Sequence, residues 1–354
     1  MPMIRSITRL GAVGACALGL TALAAAAGVP ALAATVDGPK VNWNFNMYGP
    51  KRAVTAGPEE LARLVSEATG GNFNIQIHYA EILGPPREAL DAISIGAYEI
   101  TLVVSAFTPG KLPVVEGLGL PMLPTPTIHH GRAMREGFFT HPVPNADVAR
   151  WKAKLITPMP IPSNEFVGKG KPPATLADWK GLRFRALGGD AKTVQLLGST
   201  AQNFPPPEIY GAMERGLLDG TSSTLNSHGA FKIYEIGNWY TTNMAISSAP
   251  SIIIAGMGAI NALPPQYQKL LYNSVEATND YWLKTLLADD LKAIEAFKAK
   301  GLTPVTFSDA DLARIRELVS PVWNEWVADM DKRGYPGKEL LQLMIDSAKK
   351  AKVS

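Results

Sequence analysis

The 354-residue chain has one cysteine, Cys16, near its N-terminus. Everything after it is therefore without disulfides, thiolate metal sites or a cysteine nucleophile, which suits an oxidising compartment. The motifs of common catalytic sites are also missing. There is no GxSxG, no HExxH and no glycine-rich phosphate loop, so the reading is of a protein that is not an enzyme and needs no cofactor. Histidine is sparse and scattered. His129 and His130 have no Asp, Glu or Cys at a paired ligand spacing, and His78 and His141 stand alone, so no metal site is expected. Charge is nearly balanced, with 34 Lys and Arg against 31 Asp and Glu and a formal net charge of +3, and neither nucleic acid nor an anionic membrane surface is suggested as a partner. No internal repeat or low-complexity tract follows the N-terminal segment.

That segment reads as an export signal over residues 1–33. Arg5 and Arg9 supply a positive start, Leu10 to Pro30 is an uncharged Ala/Gly/Leu-rich run, and Ala31, Leu32 and Ala33 form a small-x-small cleavage site. The uncharged run is long enough to span a bilayer, so an uncleaved anchor is the alternative. A lipobox of Val13, Gly14, Ala15 and Cys16 leaves too short an apolar region before the cysteine. The mature chain, starting near Ala34, keeps about 320 residues and can bury a large core, and its length favours two lobes.

From Val41 strands and helices alternate. Trp43, Phe45 and Met47 recur at period two, Leu61, Leu64, Val65 and Ala68 mark a helix face, and Phe73, Ile75 and Ile77 alternate again. A further helix through Leu90 and Ile93 leads to an apolar strand from Ile100 to Val104. This βαβαβ opening implies a parallel sheet flanked by helices, with ligands beyond the carboxyl ends of its strands. Those ends offer Tyr48, Arg87, Ser105 and Phe107 as first-lobe contacts. Arg87 reads equally as a surface arginine near a helix start, where the dipole disfavours a cation.

The stretch Leu176–Gly220 carries the strongest signal. Leu182, Phe184 and Ala186 alternate with Arg183 and Arg185, giving a strand with arginines on one face. The pattern alone fits a solvated polar face. It also fits Arg185 meeting an anion at the strand end, where its planar fork can hold a carboxylate by two charge-assisted hydrogen bonds. Asp178, Trp179, Lys180, Gly181 and Leu182 before that arginine, followed by Glu208, Tyr210 and Gly216 to Gly220, resemble the signature region of the DctP-type solute-binding proteins of TRAP transporters. Leu83, Gly84 and Gly96 match the same pattern, and the resemblance runs from about Asn42 to the C-terminal helices.

The resemblance implies a two-lobe periplasmic-binding-protein fold of class α/β. Each lobe is a sheet flanked by helices, with a long helix crossing both. Lobe I is expected from 34–162 with about 250–285, and lobe II from 163–249 with about 286–354. It implies a periplasmic receptor in which Arg185 clamps a carboxylate, the lobes close by a hinge, and a TRAP membrane permease is the partner. Ser223, Asn226 and His228 are the polar residues it suggests around the carboxylate, and Phe204, Phe231, Tyr234, Trp239 and Tyr240 the aromatics that could wall a pocket. Where many relatives carry a second arginine or an amide upstream, this chain has Glu165 beside Asn164, which argues against a dicarboxylate. Glu165 is left to accept from a hydroxyl, to pair with Arg185, to help hold a bridging cation, or to stand exposed on a loop. The expected solute is an organic monocarboxylate with an apolar or aromatic body, 2-oxo and 2-hydroxy acids included. An ABC-type or sensor-linked binding protein for another organic acid is the alternative. One amphipathic helix is expected from Pro264 to about Lys300, then a short strand, then a helix kinked at Pro321.

Overall fold

The computed structural model describes residues 36–352, so the expected signal segment and Cys16 lie outside the described residues. Within them the strands are β1 (Val41–Asn46), β2 (Phe73–His78), β3 (Ile100–Val104), β4 (Ala153–Pro158), β5 (Glu165–Gly168), β6 (Arg183–Arg185), β7 (Thr200–Gln202), β8 (Gly220–Ser223), β9 (Trp239–Thr241), β10 (Ser251–Gly256) and β11 (Thr303–Val305). They form two sheets, ordered β2-β1-β3-β10-β4 and β11-β9-β5-β8-β6-β7. β1 runs parallel to β2 and β3, as a right-handed βαβαβ start requires, and β10 enters antiparallel between β3 and β4.

Each sheet is the floor of a lobe. In lobe I the period-two residues Trp43 and Phe45 meet Leu61 and Val65 of the helix Ala56–Ala68, all buried. Phe73 packs edge-on to Trp43 at 5.1 Å and stacks on Tyr267 at 5.3 Å. In lobe II an aromatic nest of Phe166, Trp179, Phe184 and Trp239 fills one side, Trp179 stacking on Phe184 with ring centres 4.8 Å apart. The Asp219–Gly220 pair explains itself here. Asp219 accepts from the backbone N–H of Arg183 at 2.8 Å and from its guanidinium at 2.7 and 2.9 Å. A Cβ on Gly220 would press to 2.7 Å from the Phe184 ring.

The chain passes between the sheets after β4, after β9 and along helices. The single helix expected from Pro264 is two, Pro265–Asn273 and Val275–Lys300. No proline or glycine marks the break. Ser274 turns its hydroxyl back onto the Leu270 carbonyl at 2.9 Å, a bond that bends helices. The second piece, about 39 Å long at 1.5 Å per residue, joins the lobes. Asn279 donates to Thr157 of β4 at 2.8 Å, while Phe297 packs against Tyr240 of β9 at 5.2 Å. The helix Asp309–Lys332 continues through Pro321 and ties the lobes again: Ile315 and Val319 enter the lobe II core and Met330 that of lobe I. Among the described residues no helix is long and apolar enough to cross a membrane.

Candidate ligand-binding site

The facing ends of the two sheets enclose a cavity of about 410 Å³. Lobe I contributes Tyr48 after β1 and Ser105 and Phe107 after β3, and the segment that passes from lobe II into β10 contributes Ser247 to Ser251. Lobe II contributes Asn164 before β5, Arg185 and Leu187 to Asp190 after β6, and Thr221 to Thr224 at the end of β8. Volume and mixed lining suit one small ligand.

Arg185 is 6% exposed. Its Nε donates to the Phe204 carbonyl and an Nη to the Ser222 carbonyl, both at 3.1 Å, and no carboxylate of the described residues reaches ion-pair distance. Backbone dipoles thus fix the plane of the fork without an ion-pair partner, and Asp190 acts on it only at longer range. Burial pushes its pKa down to about 10, opposed by the negative Asp190, so it remains a cation at neutral pH. Asp190 is itself occupied: it accepts from Ser247 and Asn164 at 2.7 Å and from Ser222, and burial raises its pKa. An apolar wall faces this polar floor. Tyr48 and Phe107 meet edge to face at 5.5 Å, and Arg52 lies 4.6 Å over Tyr48 and 5.7 Å from Phe231 of the opposite lobe. Ser105 Oγ and Thr221 Oγ1 are buried hydroxyls without a partner.

Of the residues singled out in the sequence, Tyr48, Ser105, Phe107, Arg185 and Ser223 line the cavity, with His228 and Phe231. Five others do not. Arg87 is exposed and lines a separate cavity together with Phe107 and Pro205 to Glu208. Phe204 gives its carbonyl to Arg185 while its ring packs into the lobe II core. Asn226 turns outward to Asp290, donating through backbone and side chain at 2.7 Å. Trp239 is fully buried in the aromatic nest, its indole N–H on the Lys169 carbonyl at 3.2 Å, and Tyr234 and Tyr240 pack on Phe297. Glu165 points behind the wall. Its carboxylate accepts from Thr241 and from the N–H groups of Met244 and Ala245 at 3.2 and 3.1 Å. It thereby pins the segment that connects β9 to β10, and Asn164, one residue earlier, faces the cavity. Arg52, Asp190, Ser247, Ser248 and Trp326 line the cavity without any pattern in the sequence to announce them. Among the described residues no cluster of metal-ligating side chains forms.

Burial pushes the pKa of Glu165 up to about 7, against the three hydrogen bonds that lower it. A carboxyl raised above its unfolded value of 4.5 favours folding below that value, and the contribution is lost as pH rises through 7. His228, pushed down to about 4 by burial, acts in the opposite sense, so the total curve blends both. The difference between wild type and Glu165→Gln isolates the glutamate. The melting temperature of wild type relative to the variant should fall as pH rises from 5 to 8, and a constant difference across that range would contradict the buried neutral carboxyl.

The profile of the bacterial extracellular solute-binding proteins, family 7 (DctP), matches residues 46–329. A monocarboxylate 2-oxoacid-binding periplasmic protein of Nostoc is 24% identical over 304 residues, 81% of this chain and 79% of that one. A TRAP periplasmic solute-binding protein from Desulfovibrio salexigens with bound orotic acid superimposes with a TM-score of 0.79 at 24% identity, over 88% of this chain and all of that one. A marine metagenome TRAP solute-binding protein specific for aromatic acids, in complex with metahydroxyphenylacetate, gives 0.78 at 21%, over 89% of this chain and all of that one. At these identities the structural likeness speaks for the fold, and the profile, spanning most of the chain, speaks for the family. With two lobes, a cavity between them and that profile across both, the chain belongs to the DctP family of TRAP-type extracellular solute-binding proteins, which are receptors and not enzymes.

Proposed function

We propose that the protein captures a small organic monocarboxylate between its lobes and delivers it to a TRAP permease. The carrying observation is Arg185: a buried guanidinium held flat by two backbone carbonyls, lining a cavity, with no carboxylate of its own. A buried unpaired cation is costly, and a solute carboxylate relieves that cost through paired charge-assisted bonds. Ser223 and the unpartnered Thr221 hydroxyl line the same cavity and complete the carboxylate's hydrogen bonds in this reading. Tyr48, Phe107 and Phe231 favour an apolar or aromatic body, and Ser105 adds a polar contact. The relatives point the same way, toward 2-oxo acids and aromatic acids. Glu165 being committed to the segment that connects β9 to β10, a second acidic group finds no cation at that position, in keeping with a monocarboxylate. Closure brings Arg52 to Phe231 across the cleft and is driven by the ligand's stronger contacts in the closed state.

The N-terminal segment directs export to the periplasm and is removed near Ala34. Intact-mass measurement of protein from the periplasmic fraction checks the cleavage site. Isothermal titration with benzoate, 2-oxo acids and succinate checks the ligand class: the monocarboxylates are expected to bind, the dicarboxylate to bind weakly, and tighter binding of succinate would overturn the reading.

A further inference from the structure

We propose that the lobe I side of the cavity carries a second polar subsite, formed by the hydroxyls of Ser105 and Ser248 and backed by the buried guanidinium of Arg135, which takes a second acceptor oxygen of the solute. The inference rests on the carboxylate reading of Arg185 and extends it. The solute is then a carboxylic acid with an oxo or hydroxyl oxygen elsewhere in its skeleton.

Arg135 leaves the helix Ile128–Phe138 and is 1% exposed. One Nη donates to Ser248 Oγ and its Nε has no partner. Burial alone shifts its pKa, down to about 10, with no neighbouring charge contributing, so it is a cation without a counter-ion. Such a charge is expensive to bury unless something uses its field. Ser248 is the group on which the field falls, and Ser248 lines the cavity. With its oxygen accepting from Arg135, the proton of the Ser248 hydroxyl is left to donate, and a neighbouring cation strengthens that donor.

Ser105 supplies the second hydroxyl. It is 1% exposed, lines the same cavity and has an Oγ without a partner. Topology holds the two serines at one end of the sheet. Ser105 N–H donates to the Pro250 carbonyl at 2.9 Å, where β3 ends and the approach to β10 begins. Two donors on lobe I facing a cation on lobe II select a solute with oxygen functions for both lobes. Such a solute stabilises the closed form more than its deoxygenated parent does.

The test uses mature protein and titration calorimetry with pentanoate, 2-oxopentanoate, 4-oxopentanoate, phenylacetate and 3-hydroxyphenylacetate. At least one oxygenated acid should bind about tenfold or more tightly than its parent, the value of one hydrogen bond to a charge-backed group. Ser248→Ala and Ser105→Ala should each cut that ratio to about threefold or less. Arg135 acts through Ser248 as a positioning residue. Arg135→Gln should lower the same ratio and add nothing further in the Ser248→Ala background, whereas a purely structural role would weaken parent and oxygenated acid alike. If Arg135→Gln does not fold, the serine variants decide. Ratios unchanged in both serine variants, with Arg185→Ala still abolishing binding, would overturn the subsite and leave the clamp standing. Binding that survives Arg185→Ala would overturn the clamp and this inference with it.

Discussion

Arg185→Ala should lower affinity for every carboxylate ligand by at least about thirtyfold, since removing one partner of a buried, hydrogen-bonded charge pair costs about 2–5 kcal/mol. Calorimetry on the folded variant measures it. The unliganded protein should not suffer comparably, because the guanidinium is buried without a carboxylate in ion-pair contact and its removal relieves desolvation. Arg185→Lys should restore little. A single ammonium cannot span the Phe204 and Ser222 carbonyls and still present two parallel donors to a carboxylate. Near-native affinity in either variant would remove the basis of the proposed function.

Gly189→Ala should lower ligand affinity by about tenfold to a hundredfold while leaving the melting temperature of ligand-free protein nearly unchanged, an overpacking cost of about 1–3 kcal/mol felt only on closure. Gly189 sits in the first turn of the helix Gly188–Leu196 on lobe II. A Cβ there would overlap the Gly119 carbonyl oxygen of lobe I and come to 3.0 Å from the Pro121 nitrogen. Backbone cannot step aside as a flexible side chain can, so the lobes must stay apart by that margin. Alanine is otherwise the better helix former, so any loss is attributable to the contact between lobes. A fall in ligand-free stability as large as the fall in binding energy would mean that the contact persists without ligand, and hinge closure would be the wrong account.

What the sequence made legible follows from what periodicity encodes. Period two placed Trp43, Phe45, Phe73 and Ile75 in strands facing a core, and the DWKGLRFRA run placed Arg185 at a strand end. Which side chains reach the cavity was harder to read, because a sheet covered on both faces buries every residue. Trp239 and Phe204 look like pocket aromatics, yet one completes the aromatic nest and the other packs beneath Arg185. Glu165 and Asn164 differ by one residue on an antiparallel strand, and that single step exchanges the cavity for the space behind it. Asn226 and His228 share a short helix whose phase nothing in the sequence fixes. Arg135 illustrates the limit most clearly. An arginine in the segment GRAMREG reads as solvated, and its neighbour Arg132 does pair with Glu136 and Asp280 at the surface, but the turn between them carries Arg135 into the core.

The central claim is that a carboxylate charge seats on Arg185 inside the cavity. A thermal-shift series of the mature protein, comparing benzoate, phenylacetate and 2-oxopentanoate with their methyl esters, tests it most directly, since a ligand that binds only the folded state raises the midpoint according to RT ln(1 + [L]/Kd). The acids should raise the melting temperature in a concentration-dependent way and their esters should not. Equal shifts from acids and esters would show that the cavity reads the apolar body without the charge, and the clamp at Arg185 would be contradicted.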